Sequence, residues 1–240
     1  MKIEKKIKKA KKSLSQNFLK DKNICSKIIK KIKIKDKIIC DIGPGYGFLT
    51  DFIIEKEPKK LILIEKDNYL SNYLKEKYKN NNKIKIINAD ILKINILKDF
   101  KKISIISNLP YNLSTKIILN FFQYHKSIDE MILMLQKEVA TKFNYNQIGM
   151  NKYKFLTKLN FNYDICFNVP ATVFSPRPKI DSNIVKFNNN NNKINLKKAI
   201  IFSNKLFKNK RKKISNKIKI EFLQNDKLMN KRVDELSIDE

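Results

Sequence analysis

The chain has no tryptophan, one histidine, three cysteines and only four glycines among its 240 residues. Each scarcity excludes some chemistry. With His125 as the single histidine, a Ser–His or Cys–His nucleophile pair is excluded unless His125 supplies it, and its YHKS setting reads as a solvated helix end. Cys25, Cys40 and Cys166 are far apart, odd in number and set in apolar contexts without a CxxC pair. They form neither a zinc-ligand pattern nor a disulfide framework, and read as buried, reduced thiols of a cytoplasmic protein with no bound metal. The longest apolar runs, such as MILML, are too short to span a bilayer. The N-terminal MKIEKKIKKAKKS lacks the apolar stretch of a signal peptide, so a soluble, untargeted protein is expected. Arginine stands only at Arg177, Arg211 and Arg232, yet Lys+Arg total 52 against 23 Asp+Glu, a formal net charge of +29. Such an excess attracts polyanions, nucleic acid first among them. Lys, Ile and Asn all have A/T-rich codons, so genome composition is a second explanation of the same charge.

What is present is a run of strand-length apolar segments: IICDI (38–42), LILI (61–64), IKIIN (84–88), ISIIS (103–107) and MILML (131–135). Between them lie helical patterns, including YLSNYLKEKY (69–78) and STKIILNFF (114–122), and NICSKIIKKIKI precedes them with Ile24, Ile28, Ile29 and Ile32 at helical spacing. Strands apolar throughout and alternating with helices predict an α/β fold around a parallel sheet covered on both faces. FNYDICFNV (161–169) and NIVKF (183–187) read as antiparallel edge strands. The run NNNNN (188–192) reads as a linker. It divides a domain of residues 1–187, with a basic N-terminal tail, from a small, basic helical domain of residues 188–240.

Three of the four glycines fall in IICDIGPGYGFLTDFI, where a buried strand runs through a glycine turn into a helix. Gly43, Gly45 and Gly47 allow a sharp bend and close approach of backbone to a ligand, and Asp41 stands at the strand end to balance a cationic one. A tight turn alone would look similar. The second strand ends at Glu65, about 20 residues on, where doubly wound folds place an acid on ribose hydroxyls. The third ends at Asp90, able to accept from an adenine amino group, and the fourth ends in ISNLPY. Polar residues thus collect at the carboxyl edge of the sheet, where open α/β folds bind ligands. A dehydrogenase fits less well, because GPGYG lacks the G-x-G-x-x-G spacing.

This succession of Asp-x-Gly-x-Gly-x-Gly, Glu, Asp and Asn-x-Pro-Tyr resembles the S-adenosylmethionine-dependent methyltransferases. An exocyclic amine conjugated to a ring is a poor nucleophile, and two acceptors on its N–H bonds free its lone pair. In the amine-methylating enzymes that the chain resembles, those acceptors are the Asn side chain and the next residue's carbonyl, here Asn108 and Leu109. Pro110 would fix the turn and Tyr111 would stack the base. As an isolated motif, N-x-P-Y is more often only a strand-ending turn.

The resemblance narrows with KKSLSQNFLKD (11–21), DIGPGYGFLT (41–50), NLPYNLST (108–115), LQKEVATKF (135–143) and VPATVFSPRPKIDSNIVKF (169–187). These stand in the order of the ribosomal RNA adenine dimethyltransferases, nearest the small-subunit branch. LFKNKRKKISNKIK (206–219) and RVDELSIDE (232–240) resemble that family's C-terminal segments. The resemblance implies a Rossmann-like class I methyltransferase sheet with a small C-terminal helical domain. It implies S-adenosyl-L-methionine as cofactor, and as partner small-subunit rRNA within an immature subunit, bound by a monomer. Asn17 and Leu19 would close over a cofactor held by Gly43, Gly45, Glu65, Asp90 and Asn108. Phe174 would face Tyr111 across the target base, although without the family it would pass as a core aromatic. Gln136, Lys137 and Glu138 would border the site, and Lys179, Arg211, Lys212 and Lys213 would contact the RNA backbone. Ser15, Lys154 and Phe155 depart from the family's usual Gly, Gly and Arg, and a shortened last domain is expected from the resemblance. Two other readings share the core chemistry or the fold: a large-subunit rRNA methyltransferase of the macrolide-resistance type, and a non-catalytic ribosome-assembly or transcription factor.

Overall fold

A strand that is apolar on both sides must be covered on both sides, and alternation along it sends neighbouring residues to opposite faces. The computed structural model describes residues 16–192, 194–209, 212–216 and 226–237. The basic tail of residues 1–15 and Arg211 lie outside the described residues. The strands are β1 (Phe18–Leu19), β2 (Ile38–Ile42), β3 (Lys60–Glu65), β4 (Ile84–Asn88), β5 (Ile103–Asn108), β6 (Ile128–Gln136), β7 (Phe161–Val169), β8 (Phe174–Ser175) and β9 (Ser182–Asn189). The helices are α1 (Lys22–Ile29), α2 (Phe48–Ile54), α3 (Asn68–Lys77), α4 (Ser114–Gln123), α5 (Lys137–Phe143), α6 (Lys152–Asn160), α7 (Leu196–Phe207) and α8 (Asp226–Asn230).

Seven strands form one mixed sheet in the order β4-β3-β2-β5-β6-β9-β7, and β1 pairs separately with β8. The first five in that order are parallel, while β9 is antiparallel to both β6 and β7. Only β7 of the two late strands is an edge; β9 lies inside the sheet, because its apolar residues Ile184, Val185 and Phe187 are buried between two partners. Ile39, Leu61, Leu63, Ile106 and Ile132 point to one face with α1 residues Ile24 and Ile28. Cys40, Ile62, Ile64, Ile105 and Leu133 point to the other, against Ile118 and Phe121 of α4 and Phe143 of α5. Aspartates set two helix starts: Asp21 accepts from the Ile24 N–H of α1, and Asp67 from the Tyr69 N–H of α3.

His125 is 6% exposed rather than solvated. Its Nδ1 lies 3.1 Å from the Phe122 carbonyl oxygen, and burial pushes its pKa down. The asparagine run is structured rather than a free linker. Asn189 ends β9 and its Nδ2 donates to the His125 and Ile128 carbonyls, while Asn190 and Asn192 donate to the Lys158 and Leu159 carbonyls at the end of α6. Beyond it, Leu196 and Ala199 of α7 join the core under the main sheet. Leu206, Ile214, Val233 and Leu236 form a small cluster completed by Met150 and Phe155 from the larger unit. Among the described residues no helix is long and apolar enough to cross a membrane.

Candidate active site

The carboxyl ends of β2, β3 and β5 open on one cavity of about 1060 Å³. Asn17, Leu19, Gly43, Gly45, Glu65, Asp90, Asn108, Leu109, Pro110 and Tyr111 all line it, as does Asp41. Gly43 and Asn108, far apart in the sequence, meet because parallel β2 and β5 are sheet neighbours.

The glycine turn is held from three sides. The Gly45 N–H donates to Glu65 Oε2 at 3.2 Å, and the Asp67 N–H donates to Oε1 at 2.9 Å. A Cβ on Gly45 would stand 2.9 Å from the Phe18 ring, so only glycine lets the turn and the 16–20 segment approach this closely. Gly47 caps α2 in the left-handed region, at φ 75°. The Tyr78 hydroxyl lies 3.0 Å from the Gly47 carbonyl oxygen and 2.7 Å from Asp51 Oδ1, with one proton between the two acceptors. Lys77 reaches the Tyr46 carbonyl at 3.1 Å and Asp51 Oδ2 at 2.7 Å.

The acids differ in their surroundings. Asp41 is buried beside the glycine turn with the Thr50 hydroxyl donating to Oδ2 at 2.8 Å. Burial pushes its carboxyl up to about 7, against the Thr50 hydrogen bond and with help from the Glu65 charge. Burial also raises Glu65, opposed by the N–H groups of Asp67 and Gly45. At Asp90 a modest burial effect is outweighed by the Lys66 ammonium, 3.0 Å from Oδ2, and by the Leu92 N–H, so its carboxyl lies below the ordinary range. A glycine turn, a carboxylate for a diol, a second acid at the next strand edge and Asp41 poised for a positive charge fit S-adenosylmethionine, whose sulfonium and ammonium are both cationic.

The Asn108–Tyr111 turn forms the other wall. Asn108 Nδ2 donates to the Asn17 carbonyl at 2.9 Å, leaving Oδ1 as acceptor. The Leu113 N–H donates to the Pro110 carbonyl, and the Ser114 hydroxyl to the Tyr111 carbonyl, closing the turn into α4. The Tyr111 hydroxyl lies 2.8 Å from Ser182 Oγ at the start of β9.

Phe174 is placed differently from its expected position. It is 5% exposed, pairs with Leu19 through β8 and belongs to the buried cluster that includes Ile28 and Val169, while its neighbours Ser175 and Pro176 line the cavity. An apolar ring flanked by a two-stranded ladder gains more from that core than from a water-filled wall. Lys179, Lys212 and Lys213 are exposed and outside the cavity, with Lys213 Nζ on Asn230. Gln136 is half-buried at the end of β6, opposite Ser182, and Lys137 and Glu138 are exposed at the start of α5. Sequence reasoning missed Phe18, Tyr46 and Tyr73, whose rings form an edge-on chain at 5.0 and 5.4 Å along the cavity. The spacing of Phe18 inside QNFL and Tyr46 inside GPGYG was the only signal available.

Comparison with known proteins agrees with this geometry. A family model described as ribosomal RNA adenine dimethylase matches residues 7–240. Relatives that carry the name ribosomal RNA small subunit methyltransferase A include the following two. That of Pelagibacter ubique (strain HTCC1062) is 41% identical, over 79% of this chain and 74% of its own length. That of Hydrogenobaculum sp. (strain Y04AAS1) is 36% identical, over 97% and 90%. The crystal structure of a dimethyladenosine transferase from Plasmodium falciparum superposes with a TM-score of 0.74 at 22% identity, covering 92% of this chain and 94% of that one. At that identity the likeness is one of fold, the class I methyltransferase sheet. With sequence relatives and a family model spanning nearly its whole length, the chain belongs to the ribosomal RNA adenine dimethylase family.

Proposed function

We propose that this protein methylates the N6 amines of two neighbouring adenines in the 3′-terminal hairpin of small-subunit rRNA, giving N6,N6-dimethyladenosines. One observation carries the reading: the amine-holding turn Asn108–Tyr111 and the acids Asp41, Glu65 and Asp90 line a single cavity. The small-subunit assignment rests on relatives at 41% and 36% identity that bear that name.

S-Adenosylmethionine, when bound, supplies an electrophilic methyl on sulfur. Glu65 would take the ribose hydroxyls, Asp90 the adenine amine, and Asp41 would balance positive charge from beside the glycine turn. Asn17 and Leu19 would close the cavity over them. Asn108 Oδ1 and the Leu109 carbonyl would accept the two N–H bonds of the target amine, turning its lone pair out of the ring toward the methyl. Pro110 sets the angle of that turn, and Tyr111, pinned through Ser182, offers its ring to the base. Catalysis of this kind needs positioning and charge complementarity more than a base or metal. A target adenine must leave its stack to enter the cavity, and Lys179, Arg211, Lys212 and Lys213 would hold the surrounding phosphates. The protein acts as a monomer on an immature small subunit in this reading.

Mass spectrometry of adenosines from small and large subunits treated with the purified protein tests it. N6,N6-dimethyladenosine in small-subunit RNA is expected. Modification confined to large-subunit RNA rejects the substrate, and transfer to neither leaves only a binding role. Asn108→Ala should abolish transfer while RNA binding persists; full retained activity would reject the amine-positioning role.

A further inference from the structure

Residues 16–20 touch three separate parts of the site. Phe18 rests on Gly45 and against the Tyr46 ring, so the segment sits on the glycine turn. Phe18 and Leu19 pair with Ser175 and Phe174, and the Lys20 N–H donates to the Val173 carbonyl, so it also fastens the segment before Pro176. Its third contact is the one from the Asn17 carbonyl to Asn108 Nδ2, 2.9 Å long and 91 residues apart in sequence.

A side-chain amide can turn over and exchange its oxygen and nitrogen, and the two orientations have opposite consequences here. A backbone carbonyl only accepts, so the Asn108 atom facing Asn17 must be the nitrogen, which commits Oδ1 to the other side. With the amide reversed, Asn108 would present two N–H donors to an amine that also needs acceptors, and the lone pair would stay in the ring. The Asn108 backbone lies in β5 and is fixed by the sheet, but nothing in β5 itself selects the amide orientation.

We propose that the Asn17 backbone carbonyl is the positioning group for Asn108, so that closure of residues 16–20 over the glycine turn is also what aims Asn108 Oδ1 at the target amine. The cofactor side and the base side of the cavity are then readied in one event. This rests on the methyl-transfer reading, with Asn17 acting through Asn108 rather than on the substrate.

Phe18→Ala loosens the segment from Gly45 without altering Asn17 or Asn108. The first measurement is ¹⁵N NMR of the Asn108 side-chain amide in the full chain with S-adenosylhomocysteine bound, assigned by its loss in Asn108→Ala. The wild type should show slow hydrogen exchange at Nδ2 and a wide separation of its two proton shifts. Both should collapse toward solvated values in Phe18→Ala. An Asn108 amide that exchanges freely in the wild type, or is unchanged in Phe18→Ala, overturns the proposal. The second is single-turnover methyl transfer at saturating cofactor. Phe18→Ala should slow transfer by about 10–100-fold, the scale on which misplaced reacting groups act. The same change should cost far less in an Asn108→Ser background, since coupled residues are non-additive. An equal loss in both backgrounds overturns the coupling. The NMR readout requires no turnover, so its failure is distinct from a failure to find methylated small-subunit RNA.

Discussion

Asp41 shows how burial sets chemistry at a single residue. Its ordinary carboxyl pKa of 3.8 is raised to about 7, chiefly because water is excluded from it. The native state therefore holds a proton that the unfolded chain has lost between those two values. By linkage, stability falls as pH rises from about 4 to about 7 and is flat in this residue above that. Asp41→Asn should remove this fall, as read by chemical denaturation at intermediate pH values. A cationic ligand reverses the preference, since it favours the ionised form. S-Adenosylmethionine affinity should thus rise between pH 6 and pH 8 in the wild type, and Asp41→Asn should bind more weakly with that slope lost. Calorimetric titrations across the range measure this, and identical slopes in the two proteins would remove Asp41 from the charge balance. That Asp41 stands at a strand end was legible in the sequence. That Thr50 donates to it was not, because the hydroxyl is brought round by the turn into α2.

Among the elements, those whose residues carry their own periodicity were legible. β2, β4 and β7 occupy the expected residues, and α4 extends its expected span by one, since apolar alternation and helical spacing are local. The late strand β9 was misplaced at an edge, because order within a sheet is decided by partners distant in sequence. The asparagine run was read from composition, whereas its side chains take backbone carbonyls of the α4–β6 turn and of α6. Polar residues with short side chains satisfy exposed carbonyls as readily as they form linkers. Lys154 is a comparable case. Only 4% exposed, it places its ammonium on the carbonyls of Gln147, Ile148 and Gly149 at 2.9, 3.0 and 2.7 Å, and tethers the loop between α5 and α6 to α6. Burial pushes that ammonium's pKa down. Lys154→Met keeps the stem and removes the donor, leaving the three carbonyls without it. A loss of about 1–3 kcal/mol is expected in urea denaturation, with faster proteolysis in residues 144–150. Unchanged stability and cleavage would show that the tether carries no load.

At the scale of the whole molecule the charge is divided unevenly. Glu130 is buried at one end of β6 between Lys37 and Lys186, with Asp129 on Lys37 and Lys102, so part of the acid complement is spent inside the fold. The large surplus of lysine remains for polyanions, and RNA affinity should fall linearly on a log–log plot against salt. Lys179→Gln should flatten that slope by roughly 0.7–0.9 if Lys179 meets a phosphate, as filter binding would show. The second whole-molecule question is whether residues 188–240 form a separable domain. Composition suggested a division at the asparagine run, but burial runs across it. Leu196 and Ala199 pack under the main sheet, and Met150 and Phe155 complete the cluster around Leu206 and Val233. Phe155 also meets the rings of Phe202 and Phe207 at 5.9 and 6.1 Å. Removing everything after residue 187 should therefore strip apolar cover from α6 and expose Phe155. At about 1.5–3 kcal/mol for each large buried side chain, the loss should reach about 5 kcal/mol, or roughly 10–20 °C in melting temperature. The truncated chain should also associate through the uncovered face, visible by size-exclusion chromatography. A fragment of residues 1–187 that melts with the full chain and stays monomeric would restore the two-domain division. Phe155→Arg in the full chain separates the two contributions: it weakens the cluster with Met150 and Leu206 while leaving Leu196 and Ala199 in place, so its melting temperature should fall between those of the full and truncated chains.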